Sequence, residues 1–173
     1  MKKQINVWEY APQILESVGK GILMTTAAEG VVDSMVIGWG TLGIQWGKPI
    51  FIAFVRQSRY TKELLDKNPE FTINVPLDQL DKDIYTVCGT KSGRDLDKVA
   101  HLGLDLVAGD TVSVPGIRQV PLTLECKVIY RQDQVLEDIN EENRVRYYAA
   151  GTQNDGDYHT AFYGQITGAY ILE

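Results

Sequence analysis

Arg56, Ser58, Arg59 and Thr61 stand where an apolar run, Ile50 to Val55, gives way to a helix-like stretch. Backbone N–H groups and the helix dipole favour an anion at such a junction, and two guanidinium groups add charge and fixed donors. The same residues have a plainer reading, with Ser58 as a helix cap and the arginines paired to surface acids. Lys91, Ser92 and Arg94 form a second cluster of anion-binding character in a glycine-bordered loop, which read alone is also an ordinary solvated turn. About twenty residues before the arginines, Met35 to Thr41 alternates Met, Ile and Trp against Val, Gly and Gly. The bare side of such a strand lets a flat group approach the backbone, and Trp39 could stack on it or simply pack in the core. A single ligand with a flat ring and a phosphate would touch both the shelf and the arginines.

His159, one of two histidines, sits among Tyr158, Thr160 and Tyr163 where a turn enters the last apolar run. There it can hydrogen-bond a ring carbonyl or hold negative charge on a reduced cofactor, or stand as an exposed strand-end residue. His101 carries no evident role. No Ser/His/Asp set, metal-ligand cluster or pair of acids stands at a recognisable spacing, which suits a protein whose bound cofactor does the chemistry.

Two glycine patterns are misleading. Gly38-Trp39-Gly40-Thr41-Leu42-Gly43 spells the dinucleotide-binding G-x-G-x-x-G, but Gly47 and Pro49 would stop the helix that must follow. Gly43 to Lys48 is too short for a phosphate loop and has Pro49 where Ser or Thr should stand.

A length of 173 residues, with 44% apolar and 23% charged residues, fits one soluble globular domain spanning 1–173. The net charge of -6, without a basic run, argues against nonspecific nucleic-acid binding. Cys88 and Cys126 lie far apart and read as small buried apolar residues. The first residues carry no signal-peptide pattern, and no stretch is long and apolar enough to span a bilayer, so the expectation is a cytoplasmic protein.

The elements that must hold these residues read as follows. Residues 10–19 form an amphipathic helix stopped at Gly19, and Gly21–Ala27 is a strand that Glu29-Gly30 turns back into Val31 and a strand running through Thr41. Ile50–Val55 is a strand, Arg59–Lys67 a helix capped by Ser58, and Phe71–Val75 a strand. Leu77–Cys88 and Leu96–Leu102 are short helices, the second capped by Asp95 and stopped by Gly103. Leu104–Leu106 and Val120–Tyr130 return to strand, the latter half-buried, with Leu122, Leu124, Cys126 and Val128 inward and Thr123, Glu125 and Lys127 outward. Asn140–Ala149 is helical, Thr152–Asp157 is turn without calcium-loop spacing, and Tyr158–Leu172 is the final strand. Six or seven strands with short inserted helices and no regular strand–helix alternation indicate a mainly β protein, an antiparallel barrel.

Asp33–Gly43, Trp46–Pro49, Arg56–Thr61, Phe71–Val75 and Cys88–Asp95, in that order, resemble the flavin reductase-like family of FMN-binding split barrels, flavoredoxin-type members above all. His159–Gly164 resembles the family's late histidine followed by an aromatic and glycine, and the likeness covers roughly residues 12 to 170. The resemblance implies a homodimer of Greek-key split barrels with FMN held noncovalently. It places the flavin ring along Ser34, Met35, Trp39, Gly40 and Thr41, and the phosphate at Arg56, Ser58, Tyr60 and Thr61 with Lys91 and Ser92 nearby. His159, as the catalytic residue, and Tyr163 would close the other side of the ring. Asp33 stands where the family usually carries Asn, and an ionised carboxylate beside the ring would disfavour the anionic reduced flavin.

Two functions follow from the resemblance. One is an oxidoreductase passing electrons from NAD(P)H through bound FMN to free flavin or a protein acceptor. The other is an FMN-binding electron carrier, serving a redox protein partner without its own nicotinamide site. A barrel without FMN is a third, weaker reading.

Overall fold

A computed structural model describes residues 1–152 and 154–173. Gln153, inside the turn expected at Thr152–Asp157, lies outside the described residues. The strands are β1 (Lys2–Gln4), β2 (Ile22–Ala28), β3 (Val31–Ile37), β4 (Gly40–Gln45), β5 (Lys48–Arg56), β6 (Glu70–Val75), β7 (Leu106–Val107), β8 (Gly116–Ile117), β9 (Leu122–Asp133) and β10 (His159–Leu172). Between them lie α1 (Ala11–Lys20), α2 (Tyr60–Lys67), α3 (Lys82–Thr90), α4 (Lys98–Leu102) and α5 (Glu141–Tyr148).

The main sheet is antiparallel and runs β3-β2-β6-β9-β10-β5-β4, with β1 added on β10. This is the barrel that the pattern of strands indicated, and it is split. β3 and β4 follow one another in the chain yet occupy opposite ends of the hydrogen-bonded order, so Gly38 and Trp39 alone carry the backbone across the seam. The single strand expected from Val31 to Thr41 is therefore two. Alternation of side chains does not register the interruption, because Gly38 and Trp39 keep the small–large rhythm while leaving the ladder.

Two hairpins set the register. Glu29-Gly30 and Trp46-Gly47 both take positive φ, at 53° and 82° and at 52° and 68°, as tight turns between right-twisted strands require. The second joins Gln45 to Lys48, which disposes of the dinucleotide reading, since a strand and not a helix follows the glycines.

Inside the barrel, Ile22, Met24, Phe51, Val55, Phe71, Ile73, Leu124 and Phe162 pack with α1 residues Ile14 and Val18. Phe51 lies where a Cβ on Gly40 would stand, 2.6 Å from its Cζ, so the bare side of Gly40 faces core packing. A second apolar layer covers the outer surface of the sheet, where Leu23 meets Ile84 and Cys88 of α3 and Leu104, Ile117 and Val120. This layer corrects the half-buried reading of β9. Thr123 and Glu125 are wholly buried beneath residues 104–120, and the Glu125 carboxylate accepts from the N–H groups of Asp110 and Thr111 at 2.7 and 2.6 Å.

Local capping differs from expectation at three helices. α1 ends at Gly21 rather than Gly19, α4 is capped by Asp97 rather than Asp95, and α2 begins after Arg59 with no side-chain cap. α3 starts only at Lys82, because the Asp81 side chain accepts from the N–H groups of Asp83 and Ile84. No helix is long and apolar enough to cross a membrane among the described residues.

Candidate functional site

Two adjoining cavities open at the seam. The first, of about 180 Å³, is walled by Met35, Val36, Ile37, Gly38 and Trp39 from β3 and the crossing, by Phe54, Arg56 and Arg59, and by His159 at the start of β10. The second, of about 100 Å³, lies between β3, the start of α2 and the loop after α3, walled among others by Asp33, Ser58, Tyr60, Thr61, Lys91, Ser92 and Lys98. Met35, Val36 and Arg59 belong to both walls, so the two form one angular cleft.

The pairing β10 to β5 sets His159 opposite Arg56, which brings two distant stretches of sequence to one point. Trp39 lies against the histidine at 4.9 Å between ring centroids and meets Tyr147 of α5 edge-on, also at 4.9 Å. The His159 ring is almost fully buried. Burial, followed by the Arg56 guanidinium and more weakly Arg59, lowers its pKa to about 4, against the opposing pull of Asp157. Burial thus favours the neutral ring near pH 7, with one nitrogen a donor and the other an acceptor.

The donors divide into engaged and free. Arg56 donates to the carbonyl oxygens of Asp157 at 2.7 Å and Tyr147 at 3.3 Å, and its guanidinium lies 5.1 Å over the Tyr148 ring. Ser58 donates both its N–H and its hydroxyl to the Asp157 carboxylate, at 2.9 and 2.6 Å. These two residues tie down the segment between α5 and β10 while still lining the cleft, Arg56 in the first cavity and Ser58 in the second. Arg94 pairs with Glu63 and also donates to the Ser58 carbonyl at 3.0 Å. The side chains of Arg59 and Lys91 have no hydrogen-bond or carboxylate partner among the described residues, so the unpaired positive charge facing the second cavity is theirs.

Asp33 is the buried surprise. Its carboxylate meets Lys98 Nζ at 2.8 Å, with both side chains nearly inaccessible. Desolvation still raises the Asp33 pKa, outweighing Lys98, the Ser34 backbone and Thr61, which all favour the ionised form. Gly93 is required beside the pair, because a Cβ there would stand 2.4 Å from Asp33 Oδ1 and 2.7 Å from Tyr60 Cδ1. A lone carboxylate beside a ring, the concern raised by Asp33 in the sequence, gives way to a compensated pair. Lys98 was not singled out, and its place in a short helix far along the chain gave no signal.

Of the other expected residues, Met35, Trp39, Tyr60, Thr61, Lys91 and Ser92 line the cleft and Arg59 joins them in both walls. Ser34, Gly40, Thr41 and Tyr163 line neither cavity. The Ser34 hydroxyl is buried 3.0 Å from Thr25 Oγ1, which also accepts from Asn74, within a polar chain crossing three strands. Tyr163 packs instead edge-on against Tyr130, 5.0 Å away, and at a tilt against the turn residue Trp46 at 6.4 Å. Four residues after His159 on an extended strand, it lies about 13 Å farther along β10.

Comparison with known proteins agrees with this architecture. A stretch of 75 residues is 39% identical to an uncharacterised protein of Archaeoglobus fulgidus, covering 43% of this chain and 42% of that relative, so the match spans less than half of either. The flavoredoxin of Methanosarcina acetivorans superposes with a TM-score of 0.68 at 24% identity, over 88% of this chain and 68% of the other. An FMN-binding domain of a flavin reductase-like enzyme from Shewanella baltica gives 0.66 at 18% identity, over 99% and 78%. These likenesses show the fold. The model of the flavin reductase like domain matches residues 15–173, which takes in both cavity walls and the seam between β3 and β4, and the chain belongs to that family.

Proposed function

We propose that the cleft binds FMN, with the flavin ring in the cavity beside Trp39 and His159 and the phosphate in the cavity beside Arg59 and Lys91. The observation that carries this reading is the continuity of the two cavities through Met35, Val36 and Arg59. The residues present fit such a group: an apolar and aromatic wall at one end, and two cations without carboxylate partners at the other. Thr61, Ser92 and the N–H groups at the start of α2 add neutral donors. Bound FMN would supply the hydride and electron chemistry that these side chains lack. The chain itself orients the ring, sets a neutral imidazole beside it and keeps Asp33 compensated.

On this reading the protein is an oxidoreductase that passes electrons from NAD(P)H through FMN to free flavin or to a protein acceptor. The second reading is an FMN-binding electron carrier without its own nicotinamide site, which the packing of Tyr147 edge-on against Trp39 at 4.9 Å would suit. A second copy of the chain is proposed as a partner, docked on the exposed aromatic surface of Trp46 and Tyr130 beside Tyr163.

The test begins with FMN and gel filtration. Yellow absorbance co-eluting with the protein supports the cofactor, and a colourless protein overturns it. Oxidation of NADH or NADPH above the free-flavin background then marks a reductase. Bound FMN that both nicotinamides leave oxidised, while a partner reductase reduces it, marks a carrier.

A further inference from the structure

Three contacts around His159 fix where its proton resides. The His159 backbone N–H donates to Gln134 Oε1 at 3.1 Å, and a backbone N–H can only donate, so the Gln134 amide presents its oxygen. The Tyr148 hydroxyl lies 2.8 Å from that same oxygen, so its one hydrogen is committed there. The phenol oxygen is then only an acceptor toward His159 Nδ1, 2.7 Å away, and the hydrogen between them must belong to Nδ1. In a neutral imidazole the other nitrogen, Nε2, is left as a bare acceptor. Nε2 has no partner among the described residues, and its ring lines the cavity beside Trp39.

We infer that Gln134 and Tyr148 are positioning residues that hold His159 in its Nδ1–H tautomer, so that the ring offers Nε2 to an N–H donor of the bound molecule and disfavours a carbonyl oxygen there. Of the roles the sequence allows His159, donation to a ring carbonyl is the one this tautomer opposes. The charged groups facing the histidine are Arg56 from β5, Arg59 before α2 and Asp157 before β10, and Tyr148 faces it from α5. The two cations oppose a second proton on the ring, which preserves Nε2 as an acceptor at neutral pH.

The identity of the donor-bearing molecule rests on the FMN reading, whereas the tautomer does not, and one experiment separates them. A His101→Gln variant, labelled with nitrogen-15 in histidine, leaves His159 as the only histidine signal in long-range proton–nitrogen NMR. The expected spectrum at neutral pH has a protonated Nδ1 and a pyridine-like Nε2. Adding Tyr148→Phe should move the balance toward Nε2–H, and FMN added to the parent should shift the Nε2 signal in the direction of hydrogen-bond acceptance. FMN affinity should fall about fivefold in Tyr148→Phe, as for one lost hydrogen-bonded arrangement. A dominant Nε2–H form in the parent, or a Tyr148→Phe spectrum unchanged from it, overturns the inference. So does an Nε2 signal that stays in place when FMN is bound. A parent that holds the Nδ1–H tautomer but binds no FMN supports the positioning role and defeats the cofactor reading.

Discussion

Lys98 Nζ meets Asp33 Oδ1 at 2.8 Å in a place that water barely reaches, joining the middle of the chain to the strand that borders the seam. Breaking one side of such a pair strands the other charge. Lys98→Met should cost about 3–5 kcal/mol, while the double replacement Asp33→Leu with Lys98→Met should recover most of that loss. Urea unfolding of the three proteins checks this, and equal stability of the single and double variants would show that the pair is not coupled.

The depressed pKa of His159 makes stability depend on pH. Folding favours the neutral ring, whose pKa falls from an ordinary 6.5 to about 4. The contribution is fully present above pH 6.5 and is lost as pH falls toward 4. Allowing for screening by nearby solvent, it amounts to about 2 kcal/mol at most. Unfolding midpoints at about pH 7.5 and about pH 4.5 should converge in His159→Gln relative to the parent.

The two arginines of the Arg-x-x-Arg stretch should separate by experiment. Arg59→Ala should weaken FMN binding by about tenfold to a hundredfold, with little change in melting temperature. Arg56→Ala removes the donors to Tyr147 and Asp157, and should lower stability by about 1–2 kcal/mol and expose the segment before β10 to proteases. Fluorescence titration with FMN and timed proteolysis read the two effects.

Gly93→Ala should be poorly tolerated, because the new methyl would enter the space of Asp33 and Tyr60. A loss of about 1–3 kcal/mol is expected, together with weaker FMN binding. Gly164→Ala, which would press on Phe71 at 2.4 Å and on Cys126, should lower the melting temperature while leaving FMN affinity nearly unchanged in the folded protein. Thermal melts and titrations on both variants distinguish site crowding from core crowding.

Much of the barrel was legible because strand period and turn residues are local signals. The Glu29-Gly30 turn, the final strand and the helices expected at residues 10–19 and 59–67 all follow from them. What escaped was set by distant partners. Glu125 reads as an exposed strand position, and only the cover of residues 104–120 makes it a buried acceptor. Arg56 and Ser58 carry the chemistry of an anion site, yet Asp157, about a hundred residues later, uses their donors. Ser58 does not cap α2 because the helix starts one residue later, with Arg59 at the N-cap, while the Ser58 hydroxyl donates to Asp157 at 2.6 Å. Arg59 lines both cavities with its side chain unpaired among the described residues, whereas Arg56 lines the first and is engaged by two carbonyls.

The seam between β3 and β4 has a mechanical consequence. A continuous ladder resists any change in girth, because every widening must stretch several backbone bonds together. Here the two margins share no ladder and are joined in sequence by Gly38 and Trp39 alone, so a widening at this one place would break no strand pairing.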